Sequence, residues 1–224
     1  MAQTIGGQVG PTLAADNTYP PLRLGRMGDV IVSELHGRFY EQTYRGQAYS
    51  GGVATSALSA NTITLTATTT PIIGVWNPPT SPVNLVILQA GLQVMINTLT
   101  TPTGGGAIVW ASSVGNNALT LGSAGFNRKT LTAQGGYGKF YTPAIALTGL
   151  TTNLVINESA DFINNTVLIH GTITAVSQQL SGGGVQNFDG SLIVPPGGVL
   201  CLLNTTSTTT TSVTSRILWE EVPL

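Results

Sequence analysis

Residues 83–96 read VNLVILQAGLQVMI and form the longest apolar stretch of this 224-residue chain. The two halves on either side of Ala90-Gly91 are rich in β-forming residues, and a bulge or bend would fit at that pair. The stretch is too short to cross a bilayer and contains three polar amide side chains. We therefore expect it to form buried β-structure, and we expect the protein to have no contact with a membrane.

Strand patterns continue outward from this stretch. Residues 61–70 (NTITLTATTT) alternate apolar and hydroxylated side chains, which is the period-two pattern of a half-buried strand. Further short strand patterns, separated by Gly, Pro and Asn, are found at residues 107–112, 154–157, 166–174, 192–194, 199–203 and 211–222. No convincing 3.6-residue apolar stripe of a helix accompanies them. The pattern predicts an all-β fold, a jelly-roll-like two-sheet sandwich, because that architecture limits exposed strand edges.

The first 50 residues differ from the rest. Residues 1–28 contain closely spaced Gly and Pro and little periodicity, so they cannot build a packed core by themselves. Residues 29–50 favour one or two strands, with Tyr40 and Tyr44 among the aromatic β-formers. We therefore predict an extended N-terminal arm over residues 1–50, which lies on its own domain or on a neighbour, and a β-sandwich domain over residues 51–224.

Composition excludes several classes of protein. Only 8% of the residues are charged and 42% are hydrophobic, whereas a disordered chain has few apolar residues and a high net charge. The net charge of -1 leaves no cationic footprint for nucleic acid. The lone Cys201 excludes a disulfide framework, and its apolar surroundings predict a buried, inert thiol. No signal peptide is visible, so we expect synthesis in the reducing environment of the cytoplasm.

The few charges are unevenly distributed. Residues 46–127 contain no Asp, Glu, Lys or Arg. Since interface cores are depleted of charge, this stretch is either covered by a partner or coated with hydroxyl groups, and we favour a mixture of both. In the arm, arginine can pair with carboxylates of a partner, although solvated surface arginine is the alternative. The predicted partner-binding residues are Arg23, Arg26, Arg38 and Arg45.

Histidine and loop motifs give no sign of catalysis. His36 and His170 each lie in a strand pattern with no second ligand at metal spacing, whereas a zinc site needs three or four converging ligands. Phosphate-cradling loops and nucleophile elbows are missing from the sequence. We therefore expect no enzymatic activity, no cofactor and no small-molecule substrate.

Carboxylate pairs do not change this expectation. Glu158 and Asp161 lie in a polar turn pattern, where solvated carboxylates are usual. Glu220 and Glu221 are neighbours on a terminal strand pattern, so their side chains point to opposite faces. A bound Ca²⁺ stays open, because loop carbonyls with Asp161 or Asp189 could hold one, but no spacing argues for it.

Two stretches carry a resemblance to a known family. One is residues 76–91 (WNPPTSPVNLVILQAG), and the other is residues 193–198 (IVPPGG) followed by residues 218–224 (LWEEVPL). Together they resemble small virion proteins of tailed bacteriophages, in particular jelly-roll capsid decoration (cement) proteins. The pattern covers most of residues 70–224. The resemblance implies a structural protein on the capsid exterior that binds the major capsid protein or other virion proteins and its own copies, commonly as a homotrimer.

A different function is the alternative. Related head-fibre and tail proteins bind receptors or carbohydrates, and jelly rolls host lectin sites. Trp76, Trp110, Tyr137 and Tyr141 are the rings that would stack on a sugar, although strand aromatics more often lie in a core or an interface. The structural anchors that we expect are Val30, Tyr40, Trp76, Trp110 and Trp219.

Overall fold

The structure is a computed structural model that describes residues 7–8, 22–23, 37–55, 68–96, 108–116, 118–119, 122–133, 135–151, 153–159, 180–204 and 211–224. The chain divides into two compact units, residues 1–41 and 42–224. In the first unit, strands β1 (Gly7–Gln8) and β2 (Leu22–Arg23) pair in parallel. A five-residue helix, α1 (Tyr40–Tyr44), follows them in the chain.

The second unit consists of strands arranged in antiparallel sheets. In chain order they are β3 (Ala48–Thr55), β4 (Thr68–Thr69), β5 (Ile73–Trp76), β6 (Val83–Ile96), β7 (Ile108–Ser113), β8 (Ser123–Ala124), β9 (Phe126–Asn127), β10 (Lys139–Tyr141), β11 (Leu147–Thr148), β12 (Val155–Ser159), β13 (Leu180–Val194), β14 (Val199–Asn204) and β15 (Thr211–Pro223). One sheet has the order β12-β7-β14-β5-β10-β8 and the other β13-β6-β15-β3-β9, while β11 pairs with β4. Strand β3 crosses the boundary predicted at residue 50.

Side chains from both sheets pack into one core. Leu85 and Trp219 of the five-stranded sheet belong to the same buried cluster as Val75 and Trp110 of the six-stranded sheet. The Trp110 ring also meets the Phe188 ring edge-on, with 5.5 Å between centroids. This packing confirms the predicted all-β two-sheet sandwich, whereas the jelly-roll strand order stays a prediction.

The six-stranded sheet is buried on its second face as well. A separate cluster there contains Trp76, Val109, Tyr141 and Cys201. All six residues of β14 are buried, because this strand runs through the middle of the sheet and is covered from both sides. A strand buried on both faces is expected to be a continuous apolar run, as residues 199–203 of β14 are.

The predicted break in the 83–96 stretch is displaced. β6 is one strand that pairs regularly through Ala90 and Gly91, and the shift in its register against β15 falls at Leu88. Ile87 and Leu88 are both buried, although they are adjacent. A bulge accommodates this arrangement, because it puts two residues of one strand opposite a single partner residue.

The prediction of only strands over residues 29–50 is wrong at α1. The helix ends in a Schellman motif, in which the Gly46 N–H donates to Thr43 O at 3.0 Å and the Gln47 N–H donates to Gln42 O at 2.9 Å. Gly46 has a φ of +76°, which glycine adopts without a Cβ clash. This local cap outweighs the β preference of the aromatic residues. Among the described residues, no helix has the length and apolar character needed to span a membrane.

Candidate functional site

Among the described residues, potential metal ligands are not brought together. They contain no group of three or more His, Cys, Asp or Glu side chains placed to hold a metal ion. Glu158 lies on β12, while His36, Asp161 and His170 are outside the described residues. The strand alternation predicted for Glu220 and Glu221 is present, since Glu221 is buried and its neighbour is half-buried.

The three tryptophans predicted as structural anchors lie in the core, and each indole N–H has an acceptor. Trp76 donates to the Asn116 carbonyl at 3.2 Å, and Trp110 donates to Gln186 Oε1 at 2.9 Å. The Trp219 Nε1–H donates to Glu221 Oε1 at 3.4 Å. Buried indoles with a partner for the N–H are typical of stable cores.

The other two predicted anchors differ from the tryptophans. Tyr40 lies in α1 with 43% of its surface exposed, so its prediction as a strand residue is wrong. Val30 lies outside the described residues. The aromatic residues proposed for sugar stacking are not on one surface either, because Trp76, Trp110 and Tyr141 are buried and Tyr137 is exposed.

The four predicted partner-binding arginines fall in different places. Arg23 lies on β2, and Arg26 is outside the described residues. Arg38 precedes α1 and is exposed, with its guanidinium carbon 5.6 Å from the centroid of the Phe39 ring. Arg45 follows α1 and is also exposed.

A glycine-rich segment, residues 122–133 with residues 135–138, closely approaches the aromatic side chains of the five-stranded sheet, and we call it the flap. Trp219 and Tyr49 stack there with 6.2 Å between ring centroids. A Cβ on Gly125 would lie 2.5 Å from Trp219 Cζ2, and one on Gly138 would lie 2.9 Å from Trp219 Nε1. Only residues without a side chain can therefore approach the ring so closely at these two positions.

Glu221 fixes the flap to β15. Its carboxylate accepts the backbone N–H of Tyr137 at 3.0 Å and of Gly138 at 2.8 Å, in addition to the indole N–H of Trp219. The residue is only 5% exposed, so these donors compensate for the loss of water around the charge. Alternation predicts that Glu220 and Glu221 point to opposite faces, but it does not show which of them is buried or that the flap covers it.

Part of the flap is a tight, exposed turn. We call residues 127–132 (NRKTLT) the basic turn. Asn127 organises it, because its Oδ1 accepts the Lys129 N–H at 2.9 Å and its carbonyl accepts the Leu131 N–H at 2.8 Å. Leu131 has a φ of +57° and is 75% exposed. A bulky residue in this conformation costs about 1–2 kcal/mol, so the turn holds an apolar side chain in solvent at the expense of strain.

The basic turn and its neighbours carry exposed charged and aromatic side chains. Arg128 and Lys129 are exposed, and the Lys129 ammonium nitrogen is 5.0 Å from the centroid of the Tyr44 ring. Asn127 ties the turn to the end of α1, since its Nδ2–H donates to Gly46 O at 2.7 Å. Exposed Phe126 of β9 adds a second aromatic ring. The surface is thus both basic and apolar.

The edge of the five-stranded sheet opposite β9 carries apolar side chains and an acidic residue. β13 is the outermost strand there, and its exposed side chains include Val185 and Ile193. Between them, Asp189 and Gly190 have φ values of +54° and +84°. The register of β13 against β6 shifts across this point, so we call residues 188–191 the acidic bulge. The Asp-Gly dipeptide is typical of hairpin turns, but here Asp189 and Gly190 form a bulge within one strand.

Comparisons of the chain with protein-family models, with curated proteins and with solved structures found no match. The functional conclusion therefore depends on the chemistry of these surfaces and on the sequence resemblance.

Proposed function

We propose that this chain is a non-enzymatic structural protein of a phage virion, which decorates and stabilises the capsid shell by binding capsid subunits and its own copies. The observation that carries the proposal is the apolar character of the sheet edges. Val155 and Ile156 on β12, and Val185 and Ile193 on β13, are exposed on outermost strands. Each of these two strands carries a single charged residue, Glu158 on β12 and Asp189 on β13, so its exposed apolar side chains are available for a partner to bury.

Charge and multiplicity support the same role. A chain with 8% charged residues has few groups that would have to be desolvated in an interface. Many identical copies on a shell also make individually weak contacts effective through avidity. The sequence resemblance also implies that the protein lies on the capsid exterior and forms a trimer, and the proposal includes both points for that reason.

Co-sedimentation with capsids assembled without this protein tests the proposal. We expect saturable binding of the full chain, and we expect a variant that lacks residues 1–28 to lose binding while its far-UV circular dichroism and melting temperature stay unchanged. Unchanged capsid binding by the truncated variant would refute the role of the arm. Failure of the full chain to bind capsids, together with saturable binding to a glycan array, would replace the proposal with the receptor-binding alternative.

A further inference from the structure

One row of paired residues crosses all five strands of the second sheet. It runs from Asn127 on β9 through Tyr49, Trp219 and Ile87 to Leu192 on β13. The row starts at the basic turn, whose first residue is Asn127, and ends at the acidic bulge, whose last residue precedes Leu192. The two features therefore lie at the same level of the sheet, on its opposite edges.

The two edges are complementary in charge and both are apolar. The basic turn presents Arg128 and Lys129 beside exposed Leu131, and the acidic bulge presents exposed Asp189 between Val185 and Ile193. Within the described part of the chain, neither Arg128 nor Lys129 forms an ion pair with a carboxylate. The sequence from residue 42 to residue 157 contains no Asp or Glu, so the basic turn has no acidic neighbour in that stretch.

We propose that the basic turn of one copy docks on the acidic bulge of a second copy of this chain. Arg128 or Lys129 pairs with Asp189 of the neighbouring copy, and Leu131 packs against the apolar side chains that flank that aspartate. The contact joins two different surfaces, so it is heterologous and repeats from copy to copy until it closes a ring or extends a fibre. The inference rests on the proposed function, since it specifies the contact between copies that this function requires.

The arrangement favours this head-to-tail contact over the symmetric one. If two β13 edges paired around a two-fold axis at the bulge, the two Asp189 side chains would lie close together, and like charges at such positions repel. The head-to-tail contact instead brings opposite charges together without a shift along the strands. Charge pairs of this kind set specificity and register more than affinity.

The strain at Leu131 supports an interface at the turn. A leucine with positive φ is uncommon, and such residues cluster where binding uses them. In the isolated chain the side chain is mostly in water, where it gains nothing from the strained backbone. Burial against another copy gives this conformation a function.

Sedimentation of the full chain over a concentration series tests the proposal by charge reversal. We expect Arg128→Glu and Asp189→Lys each to weaken self-association by about tenfold or more, and we expect the double variant to recover most of it, because each interface again contains opposite charges. Arg216→Glu is the control, since Arg216 bonds to Gln89 in the middle of the sheet and belongs to neither edge. This control should associate like the unchanged chain.

A second variant separates the interface from the fold. Leu131→Asn removes the apolar side chain and supplies a residue that tolerates positive φ, so thermal stability should stay equal or rise while self-association weakens. An unchanged chain that stays monomeric would overturn the inference, as would a double variant that associates no better than the single ones.

Capsid binding is measured in parallel with the same variants. A monomeric chain that still binds capsids would reject the contact between copies and leave the proposed function standing. A chain that self-associates as expected but does not bind capsids would support the contact between copies and reject the capsid role.

Discussion

At the scale of single residues, strand alternation places the side chains of the adjacent Glu220 and Glu221 on opposite faces of the sheet. Glu221 points inward and accepts two backbone N–H groups of the flap, at Tyr137 and Gly138. Glu220 points to the other face, where partial burial raises the pKa of its carboxyl group by desolvation. The Glu221 carboxylate therefore stabilises the fold, whereas the partly desolvated Glu220 carboxylate destabilises it at neutral pH.

Replacing Glu220 tests the sign of this effect. Because the pKa of Glu220 is higher in the folded than in the unfolded chain, the folded state binds the proton more tightly, and stability falls as the pH rises above the ordinary glutamate value of about 4.3. Glu220→Gln should therefore melt at a higher temperature than the unchanged protein at pH 7, and the difference should vanish near pH 3.5. Calorimetry across this range measures it.

The matched control is the neighbouring position. Glu221→Gln puts an amide where the carboxylate accepts N–H groups, so it should lower the melting temperature at pH 7, by about 1–3 kcal/mol in free energy of unfolding. If both glutamine variants melted above the unchanged protein, the assignment of opposite roles would be wrong.

At the scale of elements, the regular strands were predictable and the irregular parts were not. The patterns at residues 107–112, 199–203 and 211–222 correspond to β7, β14 and β15, because alternation and apolar runs are local signals. The helix α1 was missed, since its aromatic residues favour strands and only the Arg45-Gly46 pair signals the cap. Residues 61–67 and 166–174 lie outside the described residues, so the strands predicted there stay predictions.

The flap could not be predicted, because its stability depends on contacts between residues far apart in sequence. Gly125 has no local turn motif that demands glycine, yet Trp219 occupies the space where its Cβ would be. The sequence alone does not distinguish a glycine that breaks a strand from one that allows a close approach of a side chain.

Two glycine-to-alanine variants test the flap. A Cβ on Gly125 would overlap the Trp219 ring, so Gly125→Ala should destabilise the fold by about 1–3 kcal/mol. At Gly52 on β3 the nearest atom, Ser215 O, is 3.6 Å away, which is an ordinary contact, and Gly52→Ala should be close to neutral. Urea unfolding compares the two, and equal midpoints would contradict the packing of the flap on Trp219.

At the scale of the whole molecule, the candidate surface depends on sheet register. The basic pair Arg128-Lys129 and the Asp189-Gly190 turn were both visible in the sequence, but separately. Only the order of five strands, from β9 to β13, shows that the two features lie at one level on opposite edges. Sequence patterns predict strands and do not give their neighbours, so a surface built across a sheet requires the structure.

The buried thiol and phenol groups also predict how the whole molecule responds to alkali. Burial raises the pKa of the Cys201 thiol to about 12 and raises the pKa of the Tyr141 and Tyr49 phenols above the ordinary value. The folded state therefore binds these protons more tightly than the unfolded chain does. The stabilisation that these protonated groups contribute is fully present below their pKa values in the unfolded chain, about 8.5 for cysteine and 10 for tyrosine. It is lost as the pH rises past those values.

We expect the melting temperature to decline from about pH 8.5 upward. Cys201→Ala should melt lower at pH 7, because it removes a buried sulfur, yet lose less stability between about pH 8.5 and 10. In the native protein at pH 8 the thiol should not react with Ellman's reagent, since Cys201 is fully buried, and reaction should follow unfolding. A native thiol that reacts at once, or a melting temperature that stays constant to pH 11, would show that the second face of the six-stranded sheet is not covered at Cys201, and the cluster that Cys201 shares with Trp76 and Tyr141 would have to be redrawn.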